Sequence, residues 1–374
     1  MSFARTDQSA VARWWWTVDR WTLLALAALI GFGVLLSLAA SPAVAERIGA
    51  DSLHFVRRHL IMLPPAVALM FLVSLQTPKN IRRIAIVGFV ISLALLAATF
   101  AVGVEIKGAR RWINLPGLSL QPSEFVKPTF AVLAAWLFAE QRQNPRFPGN
   151  AIAIALFVLV VGMLAKQPDL GMAVVITSVF FAQAFLAGLR LYWVALGTLG
   201  CAGGLVGAYF LLPHVASRIN RFLDPAAGDS YQIDKSIAAF MNGGFWGRGP
   251  GEGHVKEWLP DAHADFVFAV AGEEFGFIVC LVILALFAFV VVRGLVRLLG
   301  ETDLFVVLAA TGLLAQFGLQ AFVNMASSLH LIPTKGMTLP FVSYGGSSVL
   351  AIALGMGMLL ALTRKRASRS EGVD

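Results

Sequence analysis

Ten apolar runs follow one another along this chain, and they limit its fold more than any other feature. About 20 apolar residues is the length that an α-helix needs to cross the hydrocarbon core of a bilayer. Only 13% of the 374 residues are charged and 58% are hydrophobic, whereas soluble domains carry about 25% charged residues. The predicted spans are 21–41, 59–76, 83–103, 124–140, 150–166, 170–188, 191–212, 265–293, 303–324 and 345–363.

The predicted fold is therefore all-α and polytopic, a single transmembrane domain over residues 1–374. Short tails occupy 1–20 and 364–374, and most connections between spans are short. The exception is 213–264, between the seventh and eighth spans. Connections that long are usually functional or disordered. This one carries enough aliphatic and aromatic side chains to lie on the membrane or to fold into a cavity.

Charge indicates the orientation of the chain. The 29 Lys and Arg against 21 Asp and Glu give a net charge of +8, which in a membrane protein indicates cytoplasmic loops and anionic lipids as partners rather than nucleic acid. An even number of spans puts both termini on one side. The segments on that side carry 15 Lys and Arg, against 8 in the short loops of the other side. The positive-inside rule then places both termini in the cytoplasm and 213–264 outside.

Glu124 and Lys127 are charged residues inside the fourth span, where ionisable groups are functional candidates. Pro122 suits the first position of a helix, so Glu124 falls in the first turn, where the helix dipole favours a carboxylate. Lys127, three residues on, shares its face. Two interpretations stay open. The residues form a self-neutralising ion pair that anchors the helix, or they form the charged wall of a water-accessible cavity.

The start of the eighth span carries a second group of acidic residues. Asp265 is placed to cap the helix, or to act in a functional site. Glu273 and Glu274 follow within the span. At about 100° per residue, they point about 80° and 180° away from Asp265. They cannot both share a cavity with it, so we expect at least one to pair elsewhere.

Two further segments lack the regularity of a span. Residues 332–348 hold two prolines, a glycine pair and many hydroxyls at a span boundary, which predicts irregular backbone packed against protein or water. A tight helical turn is the alternative. Residues 247–253 are rich in glycine but lack the Gly-Lys-Ser/Thr ending of a phosphate loop, so no nucleotide cofactor is predicted.

These landmarks resemble the SEDS family of bacterial shape, elongation, division and sporulation proteins, along nearly the whole chain. The matching segments are 107–112, 121–124, 167–171, 218–225, 265–266 with 272–276, and 339–348. Residues 333–340 look like the division branch rather than the elongation branch. The resemblance implies ten transmembrane helices and polymerisation of lipid II into glycan strands outside the inner membrane, with release of polyprenyl pyrophosphate.

The resemblance also assigns residues. The essential aspartate of the family maps onto Asp265, and the glutamate and lysine of its fourth helix map onto Glu124 and Lys127. The family usually has Pro-Glu-x-His-Thr-Asp before the eighth helix. Here Asp261 replaces the glutamate and Ala264 replaces the threonine, which removes a hydroxyl beside the proposed base.

The expected chemistry needs a base for the incoming sugar hydroxyl and positive charge for the departing pyrophosphate. Asp265 is the expected base, or the ligand of a divalent cation (Mg²⁺ or Mn²⁺) that activates the hydroxyl. Glu124 would orient Lys127. The candidates for binding pyrophosphate or other parts of the substrate are Lys127, Lys107, Arg110, Arg111, Gln121, Arg218, Lys335 and Ser343.

Two other functions fit the same pattern. Charges at membrane depth and interrupted helices also suit a transporter that flips lipid II between leaflets. A non-catalytic scaffold for division proteins is the third alternative, and in it Asp265 and Lys127 would be replaceable. By resemblance, the partners are a class B penicillin-binding transpeptidase, other division proteins and membrane lipids. The expected location is the bacterial inner membrane at the division septum.

Overall fold

The structure is a computed structural model, and it describes residues 9–47, 49, 51–106, 109–115, 118–211, 213–223, 231–333 and 336–365. Its helices are α1 (Ala10–Thr17), α2 (Arg20–Arg47), α3 (His54–Ser74), α4 (Pro78–Val102), α5 (Pro122–Gln143), α6 (Gly149–Lys166), α7 (Leu170–Leu186), α8 (Leu191–Leu211), α9 (Pro213–Leu223), α10 (Tyr231–Gly243), α11 (Val267–Leu298), α12 (Leu304–Ser328) and α13 (Gly346–Leu362). A short 3-10 helix, Val255–Trp258, follows α10.

Each of the ten predicted spans coincides with one helix, from α2 to α8 and from α11 to α13. Within the described residues, seven helices are long and apolar enough to cross a membrane, namely α2, α3, α4, α6, α8, α11 and α12. Helices α7 and α13 are apolar but shorter. Helix α5 is less apolar because it carries Glu124 and Lys127.

Helix starts follow local signals in the sequence. Pro78 and Pro122 open α4 and α5, at the position where a missing N–H costs no helical hydrogen bond. The side chain of Thr77 accepts a hydrogen bond from the amide of Asn80 and caps α4. These signals set where the two helices begin, and in α5 they place Glu124 in the first turn.

Helix α5 lies at the centre of the molecule. It packs against α4, α6, α7, α12 and α13, and most of its residues are buried. Helix α13 also packs along α3, and α11 packs on α2 and α12. Helix α8 is peripheral, because none of its described side chains within the most apolar 18-residue window is buried. The two charged residues of α5 therefore sit in the interior of the bundle.

A small antiparallel sheet corrects the all-α prediction. Strands β1 (Val104–Ile106), β2 (Ala109–Leu115) and β3 (Leu118–Leu120) form a meander between α4 and α5. Ile113 pairs with Leu120 across β2 and β3. Backbone pairing within the meander gives this connection a fixed shape and leads the chain into the start of α5.

Helix α11 is broken at Gly276, which has φ 78° and ψ −179°. The break frees backbone groups, and the loop after α10 satisfies them. The amide of Phe277 donates to the carbonyl of Gly244 (2.9 Å), and the amide of Arg248 donates to the carbonyl of Glu273 (3.0 Å). A left-handed φ is cheap only for glycine, so the sequence allows this break at Gly276.

Candidate functional site

Asp265 lies in a turn just before α11 rather than at the N-cap. Helix α11 starts at Val267, and its N-cap is Phe266, which makes no side-chain capping bond. The alternative in which Asp265 is the N-cap residue of α11 is therefore wrong. The chain makes an extra turn first, in which the carbonyl of Asp261 accepts a hydrogen bond from the amide of Asp265 (3.0 Å). Asp261 has φ 52°, a left-handed conformation that aspartate tolerates better than most residues.

Three consecutive carbonyls of this turn are held from outside it. The hydrogen bonds are Tyr344 N to the His263 carbonyl (3.0 Å), Ser343 Oγ to the Ala264 carbonyl (2.6 Å) and Asn324 Nδ2 to the Asp265 carbonyl (2.9 Å). The donors come from α12 and from the irregular segment 336–345. Two separate parts of the fold therefore fix the backbone at Asp265.

The Asp265 carboxylate points toward the irregular segment. The side chain is half-buried, and a Cβ built on Gly336 would lie 3.0 Å from its Oδ2. Glycine at 336 therefore leaves room for the carboxylate. As predicted, the backbone around 336–345 is irregular, and it packs against protein, with Met337 and Leu339 buried.

Glu124 and Lys127 form an ion pair, with 2.8 Å between Oε2 and Nζ. This confirms that they share a face of α5. Their side chains are 6% and 1% exposed, and Lys127 Nζ also donates to Gln320 Oε1 (2.7 Å). The ammonium is thus enclosed in this conformation, and direct contact with a substrate requires its surroundings to open.

Two buried amides of α12 connect this ion pair with the turn before α11. Gln320 accepts from the lysine and donates through Nε2 to the carbonyl of Thr338 (3.1 Å). Asn324, one helical turn on, donates through Nδ2 to the carbonyl of Met337 (2.6 Å) as well as to that of Asp265. Through these two amides and the adjacent residues Met337 and Thr338, the same irregular segment contacts both the cation of α5 and the backbone of Asp265.

Sequence reasoning missed Gln320 and Asn324, although a signal was present. Four polar residues recur every fourth position within the apolar run that forms α12: Gln316, Gln320, Asn324 and Ser328. Residues four apart lie on one face of a helix, and all four are buried. A polar stripe in an apolar span indicates a face that is turned toward other polar groups in the protein.

Arg110 and Arg111 lie on β2 and have different surroundings. The Arg111 guanidinium donates to the carbonyls of Gln167 (2.9 Å) and Pro168 (2.5 Å), and so ties the sheet to the turn between α6 and α7. Arg110 is exposed and pairs with Glu105 (3.4 Å). Among the described contacts, none joins either arginine to the buried ion pair of α5.

Gln121 and Ser343 both act on the backbone around the site. The amide of Gln121 donates to Ser347 Oγ (3.0 Å), which links the start of α5 to that of α13. Ser343 Oγ accepts from the amide of Leu339 (2.7 Å) while donating to the turn before α11. Lys107 and Lys335 lie outside the described residues. Arg218 lies on α9, and its side chain is outside the described part.

Glu273 and Glu274 bind the loop that precedes the site. The Glu273 carboxylate accepts from the amides of Val255 (2.7 Å) and Lys256 (2.8 Å), and Glu274 forms an ion pair with the Lys256 ammonium. The expectation that at least one of them pairs elsewhere is confirmed. Both help to hold the loop on α11 near its break.

The described residues do not supply a metal-binding cage. No group of three or more His, Cys, Asp or Glu in that part of the chain could hold a metal ion. Mg²⁺ is usually bound through one or two carboxylates together with substrate phosphates rather than by a cage of protein ligands. The role of Asp265 as ligand of a divalent cation therefore stays a prediction.

Comparison with known proteins gives the family. Residues 20–368 match the sequence profile of the cell cycle protein family of FtsW, RodA and SpoVE. A probable peptidoglycan glycosyltransferase FtsW from Caulobacter vibrioides is 47% identical over 367 residues, which is 98% of this chain and 94% of that protein. The FtsW of Trichlorobacter lovleyi, of the same description, is 37% identical and covers 91% of this chain and 92% of its own. The chain belongs to the FtsW/RodA/SpoVE family, the SEDS proteins.

Solved structures give the same result for the fold. A chain from a peptidoglycan synthase complex, described for its coordination of polymerization and crosslinking, superposes with a TM-score of 0.77 at 29% identity, over 92% of this chain and 97% of that one. The rod shape determining protein RodA of Thermus thermophilus gives 0.69 at 27% identity, over 93% and 97%. The relatives named FtsW agree with the division branch predicted from residues 333–340.

Proposed function

We propose that this protein is a peptidoglycan glycosyltransferase of cell division, which polymerises lipid II into glycan strands and releases polyprenyl pyrophosphate. The FtsW relatives, named as probable peptidoglycan glycosyltransferases, support this function. The observation that carries it in this chain is the backbone of Asp265, held by donors from two other parts of the fold. These bonds fix the backbone that carries the carboxylate, and a positioned carboxylate is what a general base requires.

In this proposal Asp265 accepts the proton of the attacking sugar hydroxyl. The oxygen forms a bond to the anomeric carbon of the donor sugar, and the bond from that carbon to pyrophosphate breaks. Because pyrophosphate is a good leaving group, a strong general acid is unnecessary. Holding the carboxylate in place before substrate binds avoids reorganisation during the reaction.

Lys127 supplies positive charge on the leaving-group side, and Glu124 with Gln320 holds its ammonium in place. Since the ammonium is enclosed, we propose that substrate binding opens its surroundings and brings the diphosphate to it. Gln121 and Ser343 act by positioning α5 and the turn before α11. Lys107, Arg110, Arg111, Arg218 and Lys335 remain predicted contacts of the substrate.

The membrane arrangement is part of the proposal. We infer ten transmembrane helices, α2 to α8 and α11 to α13, in the bacterial inner membrane at the division septum. Both termini face the cytoplasm, and 213–264 lies outside. Support comes from the seven helices of sufficient length and apolarity and from the excess of Lys and Arg on the side of the termini. Asp265 and the start of α5 then lie at the outer face, where lipid II is polymerised.

A class B penicillin-binding transpeptidase is the proposed partner, together with other division proteins. One structural neighbour comes from a peptidoglycan synthase complex that coordinates polymerization with crosslinking. A polymerase and a crosslinking enzyme work on the same glycan strand, so physical association would place new strands within reach of the second enzyme.

A polymerisation assay tests the proposed function. The purified chain, alone and with its transpeptidase, is incubated with labelled lipid II in detergent, and products are separated by size. The proposal expects glycan strands, at least with the partner present. An arm containing EDTA tests the predicted divalent cation. Absence of polymer under all conditions would contradict the enzymatic function.

Transport of lipid II is the second candidate, and the break in α11 favours it. Interrupted helices with charges at membrane depth are typical of transporters, and α11 carries Glu273 and Glu274 just before Gly276. In vesicles, a flippase would move labelled lipid II between leaflets without making polymer. A scaffold would do neither, and would tolerate replacement of Asp265 and Lys127.

A further inference from the structure

A cavity of about 470 Å³ lies at the end of the bundle where α5 and α7 end and α6 and α8 begin. Its lining includes Gln141, Arg142, Asn150, Arg190, Tyr192 and Trp193. Arg142 lies near the opposite end of α5 from Glu124, about 27 Å away at about 1.5 Å per helical residue. That distance approaches the thickness of a bilayer core, so the cavity is separate from the site around Asp265.

The charged side chains that line this cavity are all basic. Arg142 and Arg190 line it, and no Asp or Glu is among its lining residues. The Arg142 guanidinium is held in place, because Nε and Nη2 donate to the carbonyls of Ala187 and Gly188 (2.7 Å each). Within the described residues, no hydrogen bond occupies its Nη1. The cavity therefore presents a fixed cation and an exposed second one to an incoming anion.

The mouth of the cavity has the side chains of a membrane interface. Tyr192 and Trp193 lie in the first turn of α8, 53% and 52% exposed, with their rings in contact at 5.0 Å. Tyrosine and tryptophan concentrate at the headgroup level of bilayers. These two side chains therefore indicate that the cavity opens beside the headgroup layer of the membrane.

We propose that this cavity binds the phosphate headgroup of an anionic phospholipid from the leaflet at this end of the bundle. Basic pockets between transmembrane helices take such headgroups. The lipid would bridge Arg142 at the end of α5 and Arg190 just before α8. Helix α8 buries none of its most apolar window against the bundle, so a bridging lipid fastens a helix that protein contacts leave peripheral.

Native mass spectrometry of the full chain in detergent tests this proposal. The protein is titrated with phosphatidylglycerol and, separately, with phosphatidylcholine of the same acyl chains. We expect tighter binding of phosphatidylglycerol, and a loss of about fivefold in its affinity in Arg190→Gln, since one Arg near a headgroup contributes a factor of about five. Binding of phosphatidylcholine should not change. Hydrogen exchange at the start of α8 should fall when phosphatidylglycerol binds wild type.

Arg83→Gln is the matched control. Arg83 is exposed near the start of α4, at the same end of the bundle, since its neighbour Arg82 lies over Trp136 of α5. It does not line the cavity. The proposal is overturned if Arg190→Gln binds phosphatidylglycerol as wild type does, if Arg83→Gln weakens binding equally, or if millimolar inorganic phosphate displaces the lipid. The last result would assign a site for free phosphate instead.

Discussion

The side chains around Asp265 divide into those that do chemistry and those that hold them. Asn324 is fully buried and donates to two carbonyls, those of Asp265 and Met337. Such an amide is costly to bury without partners, so its two bonds explain its place in an apolar helix. Gln320, also buried, accepts a hydrogen bond from the Lys127 ammonium. Buried amides such as Asn324 and Gln320 therefore position the groups that carry the charges of the site.

Substitutions in the ion pair of α5 distinguish its contribution to stability from its contribution to catalysis. We expect Lys127→Met to destabilise the protein by about 3–5 kcal/mol, because it leaves the buried Glu124 carboxylate without its cation. The double variant Glu124→Gln with Lys127→Met removes both charges and should recover most of that loss. It should still fail to polymerise lipid II, since the positive charge is gone. Thermal unfolding in detergent and the polymerisation assay measure the two effects.

Normal polymer from that double variant would contradict the role of Lys127 and leave the pair as a structural anchor. A matched control removes a charged pair elsewhere. Glu105→Gln with Arg110→Gln deletes an exposed pair on the sheet, and surface pairs contribute only about 0–1 kcal/mol. We expect little change in its unfolding temperature.

At the residue level, the sequence predicted the charged residues of the site better than it predicted the residues that position them. Glu124 and Lys127 were paired correctly because helical spacing alone places them on one face. Of the two alternatives for Asp265, the N-cap position was wrong, because the turn closed by Asp261 has contacts with Ser343 and Asn324, far away in sequence. Local signals cannot encode such contacts.

Among the elements, α11 and the loop after α10 form one unit. The loop supplies backbone partners to the break at Gly276, and Glu273 and Glu274 bind its amides and Lys256. A helix broken in this way has its freed groups satisfied by protein, as the membrane interior requires. The loop is therefore fixed to the same helix whose start carries Asp265.

Gly276→Ala tests this unit. A Cβ at 276 would lie 2.4 Å from the amide nitrogen of Gly247 and 2.5 Å from the carbonyl oxygen of Phe245, at φ +78°. We expect a loss of at least about 1–3 kcal/mol from backbone strain alone, with faster hydrogen exchange over 244–249. Gly31→Ala in α2 is the control, because nothing lies within 4 Å of its Cβ. Equal behaviour of the two variants would contradict the account of the break.

A second junction joins the start of α2 to the end of α11. Asp19 accepts hydrogen bonds from Arg293 (2.7 and 2.9 Å) and from Thr22 (2.9 Å). Burial alone would raise the pKa of Asp19, but the bonds from Arg293 and Thr22 and the charge of Arg297 outweigh it and hold the pKa below its ordinary value of 3.8. This carboxylate therefore stabilises the folded state only while it is ionised.

The sign of the pH dependence follows. With a pKa lowered by folding, the contribution of Asp19 is present above about pH 3.8 and is lost as the pH falls through the folded pKa. We expect Asp19→Asn to lower the unfolding temperature at pH 7 and the difference from wild type to shrink below pH 4. Asp51→Asn, which removes an exposed partner of Arg57, should change little. A difference that grows on acidification would contradict the assignment.

On the scale of the whole molecule, hydropathy alone located helices α2 to α8 and α11 to α13, because a membrane span demands a continuous apolar run. It did not reveal the meander at 104–120 or the helices within 213–264. Those segments are short and take their shape from backbone pairing and from packing on α11, α12 and α2. Neither the periodicity of hydrophobic residues nor the length of apolar runs predicts such short segments.

The ten-span arrangement is tested by cysteine labelling. In a variant without Cys201 and Cys280, Glu252→Cys lies in an exposed part of the loop after α10, and Arg146→Cys lies between α5 and α6. A maleimide that cannot cross membranes should label the first in intact spheroplasts and the second only after lysis. The reverse pattern would invert the proposed orientation.

The central claim is that one carboxylate, fixed by its surroundings, carries the transfer of sugar. Asp265→Asn preserves the size of the side chain and leaves in place the backbone hydrogen bonds of the turn. The purified variant, with its transpeptidase and labelled lipid II, should unfold at the temperature of wild type and make no glycan strands. Strands formed at the rate of wild type would show that the base lies elsewhere.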